Sequence, residues 1–323
     1  MNQNFFRDGS NGKIEILRSK LAEFLSLQGF KKFKMPKGNY QLFRVQRGRV
    51  LFDATFEDLH DVVKNHLLIR ENRADVYEAF LRGDYLGKNN FYALEQLPNV
   101  RFDCDNPVTA HFFFRNGILK VTPEKREMIS YEDFPCYIHE SQIIQHDFEI
   151  LDTEHWFSSD FDAFMKNISG KNKERYYHLT TAVGYLLHSY KDPAFARAVI
   201  LVDENLNLSG EAMGGTGKSL VATAISKLTS TLNKDGKTIS VRGNKFLNQD
   251  VSLFHNVVSI DDVLPNFDFD GFYSMITSEM VVEEKFKAPY RIPFALSPKF
   301  LVTSNYMVIG DQAVKLMKEE KSK

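Results

Sequence analysis

The chain has 323 residues, 43% hydrophobic and 26% charged, which suits a soluble globular protein with two domains and a sizeable core. A formal net charge of -1 excludes a global basic field, so any nucleic-acid contact must come from a local patch. No apolar run approaches the ~18 residues that span a membrane, the polar N-terminus is no signal peptide, and the two cysteines, Cys104 and Cys136, lack metal-ligand spacing. A cytosolic chain with reduced thiols is expected.

Apolar residues at Ile14, Leu17, Leu21, Phe24 and Leu25 predict a helix over 13–30 that ends near Gly29. The run YQLFRVQRGRVLFDAT reads as a hairpin turning at Arg47-Gly48, and FEDLHDVVKNHLL as a helix. Two further β-type runs flank Asn116-Gly117, a strong turn signal. Residues 1–150 are therefore expected to form a mixed α+β domain. Residues 158–191 return to helical spacing, and 151–195 read as a helical linker. From 196 to 323, short apolar runs alternate with helical segments, starting with ARAVILVDE, as in an α/β domain built on a parallel sheet.

That third segment carries the chemistry. SGEAMGGTGKSLVATA approaches the phosphate-loop pattern G-x-x-x-x-G-K-[ST], with Ala212 where the first glycine belongs. Gly214, Gly215, Thr216 and Gly217 supply unhindered backbone, Lys218 the positive charge, and Ser219 a hydroxyl for Mg²⁺. The following helix is expected to present Leu220, Val221, Ala224, Ile225, Leu228 and Leu232 on one core-facing side. In HNVVSIDDVLP, a buried-type strand ends in Asp261 and Asp262: the first would orient the metal, the second would act as general base. In PKFLVTSN, a third strand brings Thr303, Ser304 and Asn305 to the same end of the sheet, with Asn305 within reach of a γ-phosphate or the lytic water.

Together GGTGKS, VVSIDD and SPKFLVTSN resemble the A, B and C motifs of superfamily 3 helicases, AAA+ ATPases encoded by viruses, phages and mobile elements. The similarity is to the phage- and poxvirus-type primase–helicase branch, and FFFRNGILKVTPE resembles a strand pair found ahead of its motor. The resemblance implies a P-loop AAA+ fold, ATP and Mg²⁺ as cofactors, single-stranded DNA as partner, hexameric rings, and a place in DNA replication in the cytoplasm of a bacterial host. The segment ITSEMVVEEKFKAPYRIPF resembles that family's pore-facing hairpin, which would put Lys285, Lys287 and Arg291 against DNA.

Two departures stand out. Ala212 replaces a glycine, and no arginine follows Asn305 to act as a finger on a neighbouring subunit. From these the chain is expected to be a truncated or split form, mainly monomeric by itself, binding ATP and hydrolysing it slowly. A nucleotide-binding module that works with a replication partner is the alternative. A small-molecule kinase would need an arginine-rich lid and leaves the lysine hairpin unexplained. The D-x-D pair Asp103 and Asp105 could hold metals in a primase, but no partner histidine or third aspartate stands at convincing spacing, so it reads as a surface turn.

Overall fold

The computed structural model describes residues 4–9, 12–87, 91–98, 100–150, 159–203, 215–265 and 267–306. The chain divides into two compact units, residues 1–101 with 131–140, and residues 102–130 with 141–323.

The first unit opens with an antiparallel pair, β1 (Phe6–Asp8) and β2 (Ile14–Ile16), followed by helix α1 (Arg18–Leu27). The helix expected from residue 13 thus starts later, because Ile14–Ile16 finds a strand partner upstream that helical spacing alone cannot reveal. Strands β3 (Phe30–Lys34), β4 (Tyr40–Gln46) and β5 (Val50–Asp53) form an antiparallel meander. The β4–β5 turn puts Arg47 and Gly48 at φ 44° and 73°, the two positive values a tight hairpin turn needs. Helix α2 (Phe56–Asn65) is held by a capping box between Thr55 and Asp58 and leads through a π-turn to α3 (Ala74–Leu81). After residues 102–130, the chain returns to pair β9 (Ile138–His139) parallel to β5. Phe5, Phe24, Phe30, Leu59, Val63 and Phe80 fill the core, taking up part of the unusual phenylalanine content.

The second unit carries an antiparallel meander, β6 (Ala110–Phe114), β7 (Gly117–Val121) and β8 (Arg126–Ile129), turning at Asn116-Gly117 as expected. A helical pair follows, α4 (Asp160–Ile168) and α5 (Lys173–Leu187), each started by a polar cap, Ser159 and Asn172. Then come β10 (Ala198–Val202), α6 (Lys218–Ser226), β11 (Thr231–Asp235), β12 (Val257–Val263), α7 (Phe269–Thr277), the hairpin β13 (Met280–Val282) and β14 (Tyr290–Ile292), and β15 (Lys299–Ser304). Strands β10, β15, β12 and β11 lie in that order in one parallel sheet. The chain is therefore mixed α/β with a four-stranded parallel sheet. Buried Val257, Val258, Ile260, Phe300, Leu301 and Val302 explain its near-continuous apolar runs.

Three expectations change in detail. Helix α6 stops at Ser226, Val221, Ala222 and Ile225 face the core, Leu220 is exposed, and Leu232 belongs to β11. Asp105 is no surface turn: its buried carboxylate accepts from the His111 ring at 2.9 Å and from the Ser189 amide and hydroxyl at 2.7 and 2.9 Å. Neither cysteine is free; Cys104 and Cys136 are disulfide-bonded rather than reduced. Among the described residues, no helix is long and apolar enough to cross a membrane.

Two lysines are buried at the opposite end of the sheet from the phosphate-type turn. The Lys299 ammonium donates to the Tyr185 and His188 carbonyls at 2.5 and 2.7 Å, and Lys191 donates to Ser297 Oγ at 2.7 Å. Burial pushes Lys299 down to about 7 and Lys191 to about 8, from the ordinary 10.5. The unfolded chain then binds more protons than the folded one between about pH 7 and 10.5, so stability rises with pH across that window and falls as pH drops back toward 7. Chemical denaturation at pH 7.0 and 9.5 should show the second unit more stable at the higher pH, and Lys299→Met should flatten the difference.

Candidate functional site

The parallel register sets the site. Val202 stands opposite Ser304, and Asp235 opposite Asp261, so the C-terminal ends of all four strands reach one edge. Such edges are where open α/β sheets bind ligands. Helix α6 starts at the same edge, after a turn in which Gly215 and Gly217 take φ 90° and 95°. Gly217 has a second constraint, since a Cβ there would come within 2.8 Å of the Phe164 ring. The sequence predicts this turn and this helix start; Ala212 and Gly214 lie outside the described residues.

The Ser219 hydroxyl donates to both carboxylate oxygens of Asp261, at 3.1 and 3.2 Å. Thr303, on β15, donates to Asp261 Oδ1 at 2.6 Å and accepts the Asp262 amide at 2.8 Å. Between Ile260 and Val263 the β12–β15 register shifts, and Asp262 takes φ 59°. That irregularity breaks the strict alternation of the strand and gives the two adjacent aspartates different partners at the same edge. Asp262 Oδ1 accepts from Asn305 Nδ2 at 2.8 Å, and its Oδ2 forms an ion pair with Lys237 at 2.6 Å. The Lys237 ammonium is held above its ordinary range by its hydrogen bond to Asp262.

Lys218 lies in the same turn and ion-pairs with Asp203, the residue that follows β10, at 2.5 Å. The Thr216 hydroxyl donates to the same carboxylate oxygen. Beside them is a cleft of about 550 Å³, walled by Ile168, Leu179, Leu201 and Val202 and reaching Asp203, Thr216 and Lys218. Ser169 and Arg175 also line it, and its apolar walls with two cations, Lys218 and Arg175, fit a small molecule carrying an anionic group. The hydroxyl of Ser219 and the carboxylate of Asp261 are hard oxygen donors, a pair suited to Mg²⁺, which keeps most of its own waters.

The structure thus brings Lys218, Ser219, Asp261, Asp262 and Asn305 to one edge. Among the described residues, Lys285, Lys287 and Arg291 make no hydrogen bond or ion pair with them. Strands β13 and β14 pair with Val282 opposite Tyr290, leaving a tip over 283–289. At the tip Phe286 is fully exposed at φ 61°. Lys287 pairs with Glu284, and Arg291 lies 3.4 Å from Glu279. The Lys285 ammonium stands 6.0 Å from the Phe246 ring.

Sequence reasoning missed two participants, Asp203 and Lys237, and places Thr303 at this edge without showing that it bridges the aspartates. Asp203 carries the same signal that marks Asp261, an acid directly after an apolar run in the sequence. Lys237 carries none, because its partner stands on a neighbouring strand.

No family model matches the chain, and no curated protein matches it. Among solved structures it is similar to the apo A form of the NrS-1 C-terminal region, at 12% identity and a TM-score of 0.47, covering 90% of this chain and 56% of that one. A second structure of that region, its residues 305–718, gives 14% identity, a TM-score of 0.46, and 91% and 58% coverage. The chain spans less than two thirds of both.

Proposed function

We propose that this chain is an ATP-binding, Mg²⁺-dependent ATPase of the P-loop AAA+, superfamily 3 helicase type, moving on single-stranded DNA during replication. One observation carries the reading: Lys218 and Ser219 at the start of α6, Asp261 and Asp262 on β12, and Asn305 after β15 meet at one edge of a parallel sheet. Three separate stretches of sequence supply one constellation. Lys218 would hold the β- and γ-phosphates, with Ser219 and Asp261 holding Mg²⁺, which neutralises phosphate charge when bound. Asn305 would align the attacking water, and Asp262 would take its proton. Calorimetric titration of Mg-ATP into the full chain tests the site: saturable binding that EDTA abolishes supports it, and no binding in either condition refutes it.

The hairpin supplies the DNA side of this reading. Two lysines flanking an exposed aromatic ring fit backbone neutralisation combined with base stacking, without sequence readout. Lys287 already has a carboxylate partner in Glu284, whereas Lys285 faces a ring. Lys285→Glu should therefore weaken single-stranded DNA binding more than Lys287→Glu does. Anisotropy titrations at two salt concentrations check this, and equal affinity in parent and both variants would remove the hairpin from the interface.

A second reading, a nucleotide-binding module with little turnover, is favoured by one feature. Both oxygens of the Asp262 carboxylate are already engaged, one by Asn305 and one by Lys237, so an attacking water must displace one of these partners to reach it.

A further inference from the structure

The carboxylate that follows β10 has no role in the reaction proposed above, yet it engages the residue that reaction needs most. Lys218 Nζ and Thr216 Oγ1 both donate to Asp203 Oδ1, and Lys218 Nζ also lies 3.1 Å from Thr216 Oγ1. The Asp203 side chain is 4% exposed and that of Lys218 12%, so water screens the pair weakly. The second oxygen, Asp203 Oδ2, is buried and has no hydrogen-bond partner among the described residues. A carboxylate fixed in this way is an anion supplied by the protein itself. It presents to Lys218 and Thr216 the same chemistry as a phosphate oxygen: negative charge and lone pairs at hydrogen-bond distance.

We propose that Asp203 is a built-in competitor for polyphosphate. A nucleotide reaching Lys218 must draw the ammonium away from this carboxylate, and the buried charge left behind opposes the incoming phosphate. Asp203 thereby sets the affinity of the site and restrains nucleotide binding. This inference rests on the nucleotide-site reading above, and it assigns a role to a residue outside the phosphate-loop pattern.

The test is calorimetry on the full chain with Mg-ADP and with inorganic pyrophosphate. Asp203→Asn keeps the shape and an acceptor for Thr216 but removes the charge. It should tighten both ligands by about tenfold, within the usual range of coupling between competing interactions. Adding Lys218→Ala to Asp203→Asn should abolish the gain. Should the substitution prevent folding, the unsubstituted chain gives the answer by ¹⁵N NMR of the lysine ammonium groups. The Lys218 resonance, identified by its absence in Lys218→Arg, should shift on saturation with Mg-ADP. Binding through Lys218 that is unchanged or weaker in Asp203→Asn overturns the competitor role and leaves the nucleotide site standing, whereas a Lys218 resonance that stays put at saturation overturns both the competitor role and the placement of Lys218 at the phosphates. No binding of either ligand to parent or variant overturns the nucleotide site and the competitor role with it.

Discussion

Lys218→Ala is expected to lose Mg-ATP binding by at least about a hundredfold, and to lose stability as well. The binding loss follows from removing the only described cation at the start of α6, where phosphate charge would be met. The stability loss follows from Asp203. With Lys218 gone, a carboxylate that is 4% exposed keeps the Thr216 hydroxyl but no counter-charge. Breaking a buried pair from one side costs about 3 kcal/mol. Denaturant melts of the single variant should show that loss, and the double variant Lys218→Ala with Asp203→Asn should recover most of it. Binding should stay absent in the double variant. Recovery of stability without recovery of binding separates the role of Lys218 toward nucleotide from its role toward Asp203. Lys218→Ala binding Mg-ATP as tightly as the parent would contradict the site.

Asp262→Asn should bind Mg-ATP normally and lose hydrolysis by about 10²–10⁴-fold, the contribution typical of a positioned general base. Asparagine is the informative replacement. Asp262 sits at φ 59°, a left-handed conformation that asparagine adopts with little strain and most other residues do not. The amide keeps an oxygen for Asn305 Nδ2 and gives up the ion pair with Lys237, so the contact to Asn305 is retained while the proton acceptor is lost. Single-turnover hydrolysis after saturation with Mg-ATP reads the chemical step without interference from product release. A variant that hydrolyses ATP at the parental rate would place the base on another residue.

Much of the candidate site is legible in the sequence because its signals are local. A buried apolar strand that ends in polar residues puts those residues at a sheet edge, and this holds for Asp261, Asp262 and Asn305. Ser219 and Lys218 are fixed by the glycines before them and the helix after them. The β13–β14 hairpin shows in the alternation of its residues, and the Arg47-Gly48 and Asn116-Gly117 turns show in their composition. What escapes sequence reading depends on partners distant in the chain. Ile14–Ile16 is a strand because β1 precedes it, although its spacing is helical. Leu232 joins β11 because Val258 pairs beside it. Thr303 matters because the register of β12 against β15 puts it beside two aspartates, and Lys237 because Asp262 faces it. Asp203 differs: it follows an apolar strand like the other acids, but the search for a phosphate loop passes over it toward the glycines.

The most direct test of the account is the steady-state rate of ATP hydrolysis by the full chain, with and without an unstructured single-stranded DNA. The account predicts Mg²⁺-dependent hydrolysis, low in the absence of DNA, rising when the DNA is added, and lost in Asp262→Asn under both conditions. No hydrolysis above background at saturating Mg-ATP, with or without DNA, would contradict it and leave a nucleotide-binding module as the better description.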